Sequence, residues 1–293
     1  MDTSKQNLSL KDLEVKRAKV NGSDIRYVEK GSGEPVVFVH GAVTDLRIWL
    51  GQVELLSEKY RAISYSRRTH WPGLANGSDV PYTRKLHSDD LLELLRGLDF
   101  EKAHLVGHSF GASVALLAAL EQPDRIASLT LGEPSPFLSL LEQADFDLIA
   151  KQKGVFDKAM LVAEVTSADA AVRQFLSEIV GADVLDQLPR DVRTIVLDNA
   201  ASLRPMLSHY YESPPIGPER WNDLEMPVLL ISGELSPKAS SIGNERLHRC
   251  IPGSRWETLA SASHGLHIED PDQFGRLLTN FLSEVGVNAR GAA

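Results

Sequence analysis

The sequence predicts an α/β fold: a mostly parallel sheet covered by helices on both faces, interrupted once by a block of helices. Three observations predict it. Continuous apolar runs such as "PVVFVHG", "AHLVGHS" and "PVLLISG" are each followed by a helical pattern, as expected of strands buried on both faces. The strand–helix rhythm stops between Pro134 and about Asn222, where several helical patterns and no convincing strand occur, and it resumes at Met226. With 293 residues and 43% hydrophobic content, the chain has enough apolar surface for one large domain, or one domain with an insertion, which excludes disordered and fibrous classes.

In chain order, the short alternating segments "EVKRAKV" and "DIRYVEKG" read as an antiparallel pair turned at "NGSD". "LHSDDLLELLRGL" places Leu91, Leu94, Leu95 and Leu98 on one helical face. "IASLTLGE" and "RWETLA" supply further strands, and Asp270-Pro271-Asp272-Gln273 has a capping-box pattern ahead of a Phe274, Leu277, Leu278, Phe281 stripe. Phe137, Met206, Tyr210 and Tyr211 lie in the helical block, where apolar spacing points to its own core rather than to a pocket.

Charge and cysteine usage bound the setting. Thirty-one basic against 40 acidic residues give a net charge of −9, which favours solubility and argues against a nucleic-acid or anionic-membrane partner. Cys250 is the only cysteine, so no intrachain disulfide is possible and a reducing compartment is expected; the residue reads as a packed thiol. The polar N-terminus lacks the apolar core of a signal peptide, and no stretch approaches the roughly 20 apolar residues of a membrane helix. A cytoplasmic location is the expectation. With no metal-ligand cluster in the sequence, neither metal nor cofactor is expected.

Gly107-His108-Ser109-Phe110-Gly111 is a G-x-S-x-G pattern set after an apolar strand and before the helical "ASVALLAALEQ". That context fits a nucleophile elbow, in which flanking glycines permit a sharp strand-to-helix turn and the helix N-terminus favours developing negative charge. A serine needs a base to take its proton. Among the nine histidines, the loop "SASHGLHIEDPDQF" would sit at the carboxyl ends of the strands, where open parallel sheets place their sites, so either His264 or His267 qualifies.

The order of elements, the G-x-S-x-G pattern, the helical insertion and the late histidine together resemble the α/β-hydrolase superfamily over nearly the whole chain. The resemblance implies an eight-stranded, mostly parallel sheet with a helical cap inserted after strand six: core 1–133 and 223–293, cap 134–222. Its late loop commonly reads H-x-x-x-x-E-x-P, which His264, Glu269 and Pro271 match, making His264 the base. It also implies that His40-Gly41 shapes an oxyanion loop whose donor is the backbone N–H of Ala42, partnered by that of Phe110. Removing one such donor in comparable sites costs about 3 to 4 kcal/mol.

The family's usual acid, in a G-x-x-D register after strand seven, falls on Ser236 in "ISGELSPK". Three explanations stand: Glu234 reaches over as a fallback acid, activity has been lost, or the acid comes from another strand. Glu133 ends "SLTLGE" on the strand expected between those of Ser109 and Gly233, and it keeps the order nucleophile, acid, base. Zearalenone lactonases and one branch of haloalkane dehalogenases look similar in placing a glutamate there.

The implied activity is a serine hydrolase acting on a small-molecule ester or lactone and water, of the carboxylesterase or lactonase kind, with Ser109, His264 and Glu133 as its triad. A thioester, a carbon–carbon bond beside a ketone, or a non-catalytic receptor role are the alternatives. A serine at the elbow argues against the branches that use an aspartate nucleophile. A homodimer is left open. In "SYSRRTHWPG" the expectation is structural ion pairing for Arg67 and Arg68 and a pocket wall for Trp71.

Overall fold

The computed structural model describes residues 10–73, 82–135, 137–181, 183–210, 212, 214 and 216–291. Its centre is an eight-stranded sheet ordered β1-β2-β4-β3-β5-β6-β7-β8. The strands are β1 (Lys16–Val20), β2 (Ser23–Lys30), β3 (Pro35–Val39), β4 (Arg61–Ser66), β5 (Ala103–His108), β6 (Ile126–Gly132), β7 (Val228–Gly233) and β8 (Arg255–Leu259). β1–β2 and β2–β4 pair antiparallel, and every later pairing is parallel. The antiparallel hairpin turns at Asn21 and Gly22, both at positive φ, as a tight two-residue connection requires.

The central strands β3, β5, β6 and β7 are buried nearly end to end because helices cover both faces. On one face lie α2 (Arg84–Gly97) and α3 (Phe110–Glu121); on the other lie α1 (Leu50–Leu56) and α11 (Pro271–Gly291). Helix α3 is buried on every side from Phe110 to Leu120, so it carries no polar stripe. Helix α2 starts two residues earlier than its leucine spacing indicates, because the Thr83 hydroxyl caps the Leu86 N–H at 3.1 Å. At the head of α11, Asp270 Oδ1 accepts the Gln273 N–H at 2.9 Å, and Phe274, Leu278 and Phe281 are buried against the sheet.

Between β6 and β7 the chain forms α4 (Phe146–Val165), α5 (Ala168–Ile179), α6 (Val184–Gln187), α7 (Arg190–Asp198) and α8 (Leu203–Ser208), with no strand among the described residues. Their apolar faces are not a separate core: Phe156, Ala171, Phe175 and Val196 join one buried cluster with the β5, β6 and α3 side chains. Helices α9 (Lys238–Cys250) and α10 (Leu266–Glu269) complete the chain order. Phe137 and Met206 are buried in the shared cluster, and Tyr211 lies outside the described residues.

Candidate active site

The Ser109 backbone sits at φ 53°, ψ −122°, between the end of β5 and the start of α3. A serine tolerates this only where its neighbours make room. A Cβ on Gly107 would lie 2.5 Å from Ala112 Cα, and one on Gly111 would lie 2.3 Å from the carbonyl oxygens of Val39 and His40. Both positions therefore demand glycine. The Ser109 N–H donates to Gly132 O at 2.8 Å, and the Ser135 N–H donates to Ser109 O at 3.3 Å, so the elbow is laced to the end of β6.

Glu133 follows directly, also at positive φ (43°), and its side chain is fully buried. Its Oε1 accepts the Gly233 N–H at 2.9 Å, and its Oε2 meets His264 Nδ1 at 2.5 Å. His264 Nε2 lies 3.1 Å from Ser109 Oγ. Burial alone would raise the Glu133 pKa; the hydrogen bond and charge of His264, with the Gly233 N–H, outweigh it and hold the carboxyl below its ordinary value. The Ser236 hydroxyl sits close enough to favour the charged carboxylate without an ordinary hydrogen-bond geometry to it. Glu234 is elsewhere: it is exposed, with Oε2 toward the Ser261 N–H at 3.4 Å.

The histidine loop is braced on both sides. Glu269 accepts the Ser263 N–H at 2.7 Å and the Gly265 N–H at 3.0 Å, flanking His264 with one carboxylate. His108 Nε2 donates to the His264 carbonyl at 2.7 Å. Burial pushes His108 down to about 3, so it is a neutral donor. His267 is not near Ser109 in the same sense: it is buried, stacked 3.8 Å from the Trp49 ring, and neither ring nitrogen has a partner among the described residues.

Ala42 and Phe110 line a cavity of about 140 Å³ together with Ser109, Glu133 and His264. Phe110 opens α3, so its N–H has no intrahelical acceptor. Among the described residues no protein acceptor pairs with the Ala42 or Phe110 N–H. The outer wall comes from the β6–β7 insertion, through Phe156, Phe175, Leu176, Ile179, Val192 and Tyr210 among others. No lysine or arginine belongs to the described lining.

Two expectations from "SYSRRTHWPG" are corrected. Arg68 does pair with Asp90, at 2.5 Å. Arg67 makes no ion pair among the described residues; it is buried, with its guanidinium spent on neutral acceptors, because the nearest elements offer it backbone carbonyls and a tyrosine hydroxyl. Trp71 does not line the cavity. Arg47 stacks on its ring at 3.8 Å and its N–H bonds Asn199, which turns it toward α7. Cys250 is partly buried against the core cluster. Sequence reasoning passed over His108, although it lies inside the G-x-S-x-G pattern, and used Glu269 only to set a register.

Folds that end a buried parallel strand in such an elbow form one class of α/β proteins, and this chain is of that class. More narrowly, it belongs to the alpha/beta hydrolase family, whose model matches residues 36–277, and is a hydrolase of that superfamily. A Bacillus subtilis protein, provisionally assigned as 2-succinyl-6-hydroxy-2,4-cyclohexadiene-1-carboxylate synthase, is 27% identical over 89% of this chain and 96% of its own length. The 3-oxoadipate enol-lactonase 1 of Acinetobacter baylyi is 25% identical over 85% of this chain and 89% of its own. Among solved structures, the enol-lactonase from Burkholderia xenovorans LB400 superimposes with a TM-score of 0.75 at 23% identity, covering 92% of this chain and 100% of that one, which bears on fold alone. Among the described residues no helix is long and apolar enough to cross a membrane.

Proposed function

We propose that the protein cleaves a small carboxylic ester or lactone through an acyl-enzyme, with Ser109 as nucleophile, His264 as base and Glu133 as acid. One observation carries this reading: Ser109 Oγ, both nitrogens of His264 and Glu133 Oε2 form a single hydrogen-bonded line, at 3.1 and 2.5 Å, opening on the cavity. Ser109 Oγ attacks the carbonyl carbon as its proton passes to His264 Nε2, while Glu133 holds the Nδ1–H and offsets the imidazolium charge. The oxyanion is received by the N–H groups of Ala42 and Phe110. Collapse expels the alcohol oxygen, which takes the proton from Nε2; in a lactone it stays tethered to the acyl group. Water then gives a proton to His264 as it attacks the acyl carbon, and collapse of this second intermediate releases the acid and expels Ser109 Oγ, which takes that proton back from Nε2.

The lining argues further for a substrate uncharged where it enters the cavity. With no cation in the described wall and the carboxylates Glu133 and Glu269 at its floor, a substrate carboxylate would be desolvated without a partner. Both curated relatives carry names of carboxylate-bearing acids, so selectivity is expected to differ even if chemistry is shared. In this reading residues 134–222 act as a cap over a core of 1–133 and 223–293, and the partners are substrate and water.

A fluorophosphonate probe and a panel of aryl esters, lactones and vinylogous diketones test the proposal. Labelling at Ser109, ester or lactone turnover and a trapped acyl-enzyme are expected. Turnover of a diketone alone would move the reaction to carbon–carbon cleavage, and a folded protein that never labels would favour a receptor.

A further inference from the structure

Arg67 is a cation buried beside the site with no carboxylate of its own. It is 1% exposed, and among the described residues it forms no ion pair. Its Nη1 donates to Tyr82 Oη at 2.7 Å, its Nε to His40 O at 3.2 Å and its Nη2 to Gly41 O at 2.8 Å. Its guanidinium also lies 4.9 Å from the Phe110 ring centroid. A buried charge is normally paired or paired away by titration, and arginine does not titrate in this range. The placement therefore needs a reason other than charge balance in the resting protein.

The Gly41 carbonyl supplies that reason. It shares one planar trans peptide with the Ala42 N–H, so the two groups point in opposite directions. Gly41 O faces back to Arg67, and Ala42 faces the cavity. A second donor converges on the same oxygen. The Arg67 N–H donates to His40 Nε2 at 2.9 Å, which puts the ring proton on Nδ1, and Nδ1 donates to Gly41 O at 2.9 Å. Thr44 Oγ1 adds a longer bond to it at 3.3 Å. Hydrogen bonds at a carbonyl polarise its peptide and strengthen the N–H on the far side. The next residue, Val43, is β-branched yet held at φ 46°, a conformation that persists only where surrounding bonds over-determine it.

We infer that Arg67 is a positioning residue for oxyanion stabilisation: with His40 it fixes and polarises the Gly41–Ala42 peptide, and its buried charge finds its counter-ion in the oxyanion of the tetrahedral intermediate. This rests on Ser109 acting as nucleophile, as proposed above. A donor aimed in advance and backed by a cation stabilises the intermediate more than the ground state, so the effect falls on turnover rather than on substrate binding.

The test compares wild type with Arg67→Gln, Arg67→Lys and Tyr82→Phe, the last removing the Nη1 anchor and the hydroxyl's bond with His70 Nε2 while leaving both bonds of Arg67 to the His40 and Gly41 carbonyls. An aryl ester substrate and a boronic acid that forms a tetrahedral adduct with Ser109 are the probes, and thermal melting reports folding. Arg67→Gln is expected to lower kcat by at least about tenfold with KM within about twofold, and to weaken the boronate by the same factor as kcat/KM. Arg67→Lys restores part of that loss because charge remains but the two-carbonyl fork is lost, and Tyr82→Phe gives a smaller loss of the same kind. Folded variants with wild-type kcat and boronate affinity, or losses in KM matched to lowered melting, overturn the inference. If the arginine variants do not fold, an unchanged kcat in Tyr82→Phe overturns it and a selective fall in kcat supports it. Failure of the wild type to label with fluorophosphonate is a separate outcome that sinks the parent reading, and this inference with it.

Discussion

The floor and the outer wall of the cavity are built by opposite means. At the floor, each functional group is fixed by hydrogen bonds from neighbouring strand ends: Glu133 by Gly233, His264 by His108 and Glu269, and the Gly41 peptide by Arg67 and His40. Three of its residues, Val43, Ser109 and Glu133, are held at positive φ. The wall is mostly apolar side chains on α4, α5 and the helices after them, packed into one buried cluster with the sheet. Geometry tolerances near those of a covalent framework suit bond chemistry, whereas apolar packing is adaptable and suits selection among substrates. The difference separates what the protein does from what it does it to.

The sharpest way to break the floor is Glu133→Gln, which leaves the shape but removes the charge facing Nδ1. Turnover is expected to fall by about 10³-fold or more with little change in KM, in steady-state kinetics on an aryl ester. Glu234→Gln in the same assay is expected to stay within about threefold, and a large loss there would reassign the acid.

A wall substitution should act differently. Val192→Arg places a cation in the apolar lining, and the ratio of kcat/KM for an ester bearing a remote carboxylate to that for its neutral analogue is expected to rise by about tenfold or more. Turnover of the neutral ester should change far less. Equal losses on both substrates would mean that the wall does not select by charge.

Acid should loosen the floor and sheet before the cap. His40, His70, His87, His108 and His267 are buried and held neutral, all by burial first; His40, His70 and His87 are pushed down further by Arg67. Their folded pKa values lie below the ordinary 6.5, so between these limits the unfolded chain binds protons that the folded chain does not. Stability is then present above 6.5 and lost as pH falls below it, by about 1 kcal/mol per histidine one unit down. Hydrogen exchange at pH 5.5 against pH 7 should show β3, β4 and β5 losing protection early; unchanged protection would contradict the sign. Glu133, whose pKa is depressed instead, adds stability above its unfolded value near 4.5 that fades as pH drops through its folded one. The smallest expected effect is Ser236→Ala, within about threefold in kcat, since its hydroxyl lies beside Glu133 without completing a bond.

The sheet and the elbow were legible because their signals are local. Unbroken apolar runs mark doubly covered strands, and glycines bracket Ser109 where backbone atoms leave no room for a Cβ. The late loop was legible only with a motif, since His264 and His267 are three residues apart and the fold alone turns one to Ser109 and the other onto Trp49. Glu133 required topology, the adjacency of β5, β6 and β7, because nothing in "SLTLGE" itself marks a buried carboxylate. Arg67 was misread because its partners are backbone carbonyls, which every residue carries and no side-chain pattern advertises. Trp71 was misread because its N–H bonds Asn199 at the end of α7 and its ring is covered by Arg47, contacts that no local pattern announces.

Placing the Glu133 carboxylate just after β6 has a further effect on the segment after β7. The Gly233 N–H goes to Glu133, and the Glu234 and Leu235 N–H groups go to Leu259 O and Ala262 O, each at 2.9 Å, while the Leu235 side chain is 64% exposed. The turn thus ties the histidine loop to β7 through its backbone, while the Glu234 and Leu235 side chains face solvent. An exchanged side chain at Leu235 would leave those bonds in place, whereas a longer turn would shift the loop that holds His264: the turn suits a label carried on a side chain, not a spliced-in peptide.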